Sequence, residues 1–204
     1  MSRMVANTHK NHKPMKNAMH PPRDRILAAA CDLFYHQGIH AVGVDAIAAA
    51  ADTNKMTLYR HFSSKDELIA AYLSYLAAEG DAAWDEIARV NNNNPKQQLL
   101  AWINKVTEYI VNSGGRGCAF ANAAAELPEK NHPARRVIEE HKIKYRAKIT
   151  ELCREAKLSE PENLADKIFL LLEGARVSLQ SLGPKGPGSN LVDMVRALLE
   201  RHVS

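Results

Sequence analysis

Apolar residues recur along this chain at helical spacing, and polar or glycine-bearing breaks divide them into segments. Ile26, Leu27, Ala30, Leu33 and Phe34 form a stripe that ends at Gly38, a residue suited to the left-handed close of a helix. A second, short helix is predicted over residues 44–51, with Ile47, Ala48 and Ala51 facing inward. Asp52, Thr53 and Asn54 then form a tight turn, and Asn54 is placed to cap a third helix from Lys55 to about His61. Leu58 and Phe62 mark its buried side. Ser64 followed three residues on by Glu67 is a capping box, which opens a fourth helix running to about Arg89.

The later part repeats the pattern at greater length. "NNNNP" marks a loop, after which Leu99, Leu100, Ile103, Val106 and Ile110 lie on one helix that "SGGRG" stops. A short helix is predicted over 119–127, and a longer one over 134–156 just after Pro133, with Val137, Ile138, Ile149 and Leu152 as apolar members. "LADKIFLLLEGARVSLQSL" is a helix apolar on more than one face. After "GPKGPGS", Leu191, Val195, Leu198 and Leu199 give a last amphipathic helix. No segment alternates with period two, so the fold class expected is all-α.

Composition changes this picture little: of 204 residues, 46% are hydrophobic and 25% charged, ordinary for a soluble globular chain. The placement of charge changes it more. Residues 1–66 carry nine Lys and Arg against five Asp, a difference of +4, whereas the rest of the chain balances at eighteen against eighteen. The excess sits where a polyanion-binding head on a neutral body would carry it. Residues 1–20, rich in Lys, His and Asn and followed by Pro21 and Pro22, are expected to be a disordered basic arm.

Cys31, Cys118 and Cys153 are too few for a disulfide framework and form no CxxC pair. No apolar run is long enough for a signal peptide core or a membrane span, so a reducing, cytoplasmic setting with no membrane partner is expected. His9, His12 and His20 have no fixed geometry, and His132 with His141 lacks the i, i+4 spacing of a helical zinc site. Neither a metal nor a cofactor is expected. An enzyme would need a nucleophile, a metal set or a cofactor loop, and HExxH, the P-loop and GxSxG are all missing.

Two helices joined by a short turn, the second rich in donors, form a helix-turn-helix, whose second helix enters the major groove. Leu58 and Phe62 would anchor that helix. Thr57, Tyr59, His61 and Lys65 would reach phosphates, while Lys55, Met56 or Arg60 would reach base edges. Gly43 and Val44 at the start of the second helix and Asn54 at the cap complete the DNA-facing set. A solvated helix packed on a small bundle is the competing reading.

"RILAAACDLFYHQGI", "VDAIAAAAD" and "KMTLYRHFSSKDEL" together resemble the DNA-binding domain of the TetR family of one-component bacterial regulators. The resemblance implies an N-terminal three-helix DNA-binding domain over 21–66 and a larger helical ligand-binding and dimerisation domain over 67–204. It further implies a homodimer that binds a near-palindromic double-stranded operator and releases it when a small-molecule effector enters the larger domain. Thr57, Tyr59, His61 and Lys65 fall where that family contacts phosphate or base. Departures lie at Asp52, where glycine's freedom at positive φ is lost, at Gly43, a weaker cap than Thr or Ser, and at Met56, where many members have glycine.

In the larger domain, the surplus of apolar residues from Ile168 to Leu172, with Ala175, Val177 and Leu179, suits a four-helix interface, an internal core helix being the alternative. Trp84, Trp102, Tyr109 and Phe120 are candidate walls of an effector pocket. Glu126, His141, Tyr145, Glu173 and Arg176 are its candidate polar contacts, or else surface charges and core aromatics. Cys118 follows "GGRG" at a helix start, where free N–H groups and Arg116 favour a thiolate. It is therefore a candidate thiol sensor, the alternative being a small packing residue; Cys31 and Cys153 read as packing.

Overall fold

The computed structural model describes residues 20–92, 94–112 and 116–202. Among them are nine α-helices and no strand. They are α1 (Pro22–Gln37), α2 (Val44–Ala50), α3 (Lys55–His61), α4 (Lys65–Val90), α5 (Pro95–Asn112), α6 (Ala119–Glu126), α7 (Pro133–Glu155), α8 (Pro161–Leu182) and α9 (Leu191–Arg201). Proline opens α1, α5, α7 and α8, where its missing N–H would have had no helical partner. The expected basic arm lies, except for His20, outside the described residues. Among the described residues no helix is long and apolar enough to cross a membrane.

The chain divides into two compact units, one made of the residues through Leu76 together with Ala119–Ile138, the other of Ala77–Cys118 and the residues from Glu139 on. In the first, α1, α2 and α3 pack on one another around Ile26, Phe34, Ile47, Leu58 and Phe62. Tyr72 of α4 joins this core with its ring centroid 5.7 Å from that of Phe34. The corner after α1 is closed by Gly38 at φ 93°, a left-handed conformation in which a Cβ would also stand 3.2 Å from the Glu126 carboxylate. Glu126 is there for a reason: its Oε2 accepts from the His40 N–H at 2.8 Å, and its carbonyl oxygen lies 2.5 Å from His40 Nε2.

Turn chemistry follows the sequence closely, with one change. Asn54 caps α3, its Oδ1 accepting from the Thr57 N–H at 2.9 Å, and Asp52 takes a left-handed φ of 50°. At the start of α4 half of the expected capping box forms, the Ser64 hydroxyl accepting from the Glu67 N–H at 3.1 Å. The other half reaches one residue further back, since the Glu67 carboxylate accepts from the N–H and hydroxyl of Ser63. Those two bonds hold the Glu67 pKa below its ordinary value.

In the second unit α5, α8 and α9 pack together around Leu99, Ile103, Ile168, Leu172, Val195 and Leu199. The segment "GPKGPGS", expected only to break the chain, runs into a 3-10 turn over Pro187–Asn190. It packs so tightly on α8 that a Cβ on Gly188 would stand 2.8 Å from the Ala175 carbonyl oxygen. The two-faced character of α8 is resolved here. Ile168, Leu172, Ala175 and Leu179 point into the core at i, i+4, i+7 and i+11, while Leu170, Val177 and Leu182 are exposed, as is Met194 on α9.

Candidate functional site

The candidate recognition surface is built on α3. Leu58 and Phe62 are buried, which turns Met56, Tyr59 and Arg60 outward at i, i+3 and i+4; Met56 is 86% exposed. Lys55 lies on the same outer side, its Nζ 3.3 Å from Asp45 of α2, in a pair exposed enough to be exchanged for another anion. Thr57 and His61 are half-buried on the flanks, and Gly43, Val44 and Asn54 lie at the starts of α2 and α3. Lys65 also has a partner within the head, its Nζ donating to the Ile39 carbonyl at 2.7 Å.

Within the second unit, residues from α4, α5, α7 and α8 meet in an interior cluster. Trp84 and Trp102 stack with centroids 3.9 Å apart. The Trp102 Nε1–H donates to the Tyr145 hydroxyl at 2.6 Å, and His141 lies parallel to the Tyr145 ring. Beside them Glu173 accepts from Lys142 at 2.5 Å and from Arg176 at 2.7 Å, and Arg176 lies over the Tyr145 ring at 5.6 Å. Lys142 Nζ also lies 3.7 Å from the buried Cys118 Sγ.

Burial and charge set the protonation of these groups. Burial pulls the His141 pKa down to about 4, helped by Lys142 and Arg176, so the imidazole is neutral at physiological pH. Burial raises the Tyr145 phenol, outweighing Arg176 and the Trp102 bond, and Tyr145 too is neutral. Burial opposes the Glu173 charge, but Lys142 and Arg176 overcome it and hold the carboxyl below its ordinary range. Burial likewise opposes the Arg176 charge, yet Tyr145, Cys118 and Glu173 around it hold its pKa above the usual arginine value.

Of the ten pocket candidates, Trp84, Trp102, Cys118, His141, Tyr145, Glu173 and Arg176 share this cluster, and Tyr109 packs half-buried against the unit's core. Phe120 and Glu126 belong to the first unit, where Glu126 serves His40. Sequence reasoning missed Lys142. It sits among many bases of α7, and only its contact with Glu173 sets it apart. Cys31 and Cys153 are buried, and burial pushes the Cys153 thiol up to about 11, as befits inert packing residues.

A three-helix head with a capped, outward-facing donor helix, joined to a larger helical body, defines a helix-turn-helix DNA-binding transcriptional regulator. The profile of "Bacterial regulatory proteins, tetR family" matches residues 26–72. A crystal structure of SCO4454, a TetR-family transcriptional regulator from Streptomyces coelicolor, superposes with a TM-score of 0.84 at 31% identity, covering 90% of this chain and 96% of that one. The HTH-type transcriptional regulator YjdC of Escherichia coli is 25% identical over 152 residues, 74% of this chain and 80% of its own. The HTH-type transcriptional activator FasR of Mycolicibacterium smegmatis is 33% identical over 108 residues, 52% of this chain and 49% of its own. The chain belongs to the TetR family.

Proposed function

We propose that this regulator is a repressor that holds a near-palindromic operator as a homodimer in the cytoplasm and releases it when a small molecule enters the interior cluster of the second unit. One observation carries the reading: Lys142, Glu173 and Arg176 are kept largely buried beside two stacked tryptophans and Tyr145. An ion-pair cluster seldom stabilises an interior better than apolar packing would. Aromatic walls around a few convergent polar groups are, by contrast, what a small-molecule site needs.

The functional division proposed is DNA binding by residues 21–66 and ligand binding with dimerisation by 67–204. Lys55, Met56 and Arg60 read base edges, while Thr57, Tyr59, His61 and Lys65 hold phosphates. The outer apolar faces of α8 and α9, with Leu170, Val177 and Met194, meet a second copy. Two recognition helices about 34 Å apart then enter successive major grooves. Because α4 contributes turns to both units, a ligand that shifts its later turns disturbs that spacing.

The test is linkage. Small molecules that raise the melting temperature are titrated with and without operator, and a true effector binds more weakly in its presence by the factor by which it weakens DNA binding. Equal affinity in both settings would remove ligand release. Loss of transcription on deleting the gene would make the protein an activator, the role named for FasR. Lys142 Nζ beside Cys118 Sγ favours a second reading, control by thiol modification. Operator release by an alkylating electrophile from the wild type, and not from Cys118→Ser, would establish it.

A further inference from the structure

We infer that the effector is a monoanion, an organic carboxylate with an apolar or aromatic body, and that Arg176 and Lys142 receive its charge. This rests on the reading of the interior cluster as an effector site and adds the chemical class of ligand. Six other bases, Arg89, Lys144, Arg146, Lys148, Arg154 and Arg196, each have an acid to themselves, Glu86, Asp81, Asp166, Glu151, Glu162 and Asp193, in pairs that stand largely in solvent. The cluster differs in both respects. Lys142 and Arg176, only 20% and 15% exposed, share the single carboxylate of Glu173.

Among the described residues Glu173 is the one carboxylate paired with either cation, and Cys118, whose Sγ lies 3.7 Å from Lys142 Nζ, balances the second only if it gives up its proton. His141 and Tyr145 are neutral for the reasons given above, and Asp81 is engaged by Lys144. One positive charge is therefore left over in a poorly solvated place, and one negative charge from outside would balance it. A dianionic phosphate would overshoot. A carboxylate matches the planar fork of a guanidinium, of whose five donors Glu173 takes one. The rest of the ligand would lie against Trp84, Trp102, Tyr145 and Phe169, whose rings are grouped beside the two cations.

The chain has two tryptophans and both stand in the cluster, so their emission reports on this site without a label. The full-length protein is titrated with phenylacetate and octanoate and with their uncharged amides. The acids are expected to change the emission saturably and to bind at least about tenfold more tightly than the amides, as a charge-assisted bidentate contact would give. Arg176→Gln should abolish the preference and Arg176→Lys should keep part of it. Lys148→Gln, which removes a surface cation of α7, the helix of Lys142, should leave it unchanged. If Arg176→Gln fails to fold by circular dichroism, Lys142→Gln gives the same readout. Amides bound as tightly as acids, a preference that survives both neutral substitutions, or acids that do not bind would each overturn the assignment. Operator release by an amide but not by the acids would overturn the charge and leave the ligand-released repressor standing. Acids bound at the cluster without any operator release would support the anion site and overturn release.

Discussion

The recognition helix and the interior cluster are opposite solutions to the problem of placing polar groups. On α3 one face is fixed by Leu58 and Phe62, one cap by Asn54, and the donors stand in solvent, all within residues 54–62. The cluster takes Trp84, Trp102, Lys142, Tyr145, Glu173 and Arg176 from four helices and keeps them from water. An exposed donor can be removed without disturbing its neighbours. A buried ion held by one partner cannot lose that partner without cost.

The sharpest way to break this contrast is Glu173→Ala. It leaves Lys142 and Arg176 facing each other without a carboxylate and is expected to cost about 3 kcal/mol of stability, read as a lower urea midpoint. Arg60→Ala on the exposed face should do the reverse, weakening operator binding by about 1 to 3 kcal/mol with an unchanged melting temperature. A fall in melting temperature there would show that α3 is not the independent surface described. Lys65→Ala should move both readouts. Losing the bond to the Ile39 carbonyl costs about 1 kcal/mol of stability, and losing a phosphate contact flattens the salt dependence of DNA binding by up to about one unit.

Acid should destabilise the cluster. His141 titrates near 4 in the folded protein against an ordinary 6.5, so between these values the unfolded chain binds a proton that the folded one refuses. The stability is complete above pH 6.5 and is lost as the pH falls toward 4, at a rate of at most about 1.4 kcal/mol per pH unit. Thermal melts of His141→Asn should lack that slope. The smallest effect is at Asp52: in Asp52→Gly the relief of a left-handed residue is offset by loss of the ion pair with Arg25, 3.8 Å away, so stability should change by less than about 1 kcal/mol, leaving operator affinity intact.

How much of each region was legible in the sequence follows from the range of its interactions. Asn54, Leu58, Phe62 and the prolines at helix starts act over a few residues, so the nine helices and the cap of α3 were readable from spacing and turn residues. Ser63 displaced Ser64 as the partner of the Glu67 carboxylate because reach, which no pattern encodes, decides between neighbouring donors. The 3-10 turn in "GPKGPGS" depends on α8 lying against Gly188. In the same way, a helix apolar all round does not say that Leu172 goes in and Leu170 out; the packing of α5 and α9 decides. Lys142 and Glu173, thirty-one residues apart, are the extreme case.

The bond between His40 and Glu126 has a consequence for how this protein can be cut and recombined. The compact unit that holds α3 also owns Ala119–Ile138, a segment that the gene encodes long after the rest of it. A fragment that stops at Leu76 would keep every residue of the recognition helix and still lack the carboxylate that fastens the corner at Gly38 and His40. A hybrid regulator made by exchanging heads between relatives would therefore need two crossovers in addition to the one at the head's end, so that α6 travels with the head it was built to fasten.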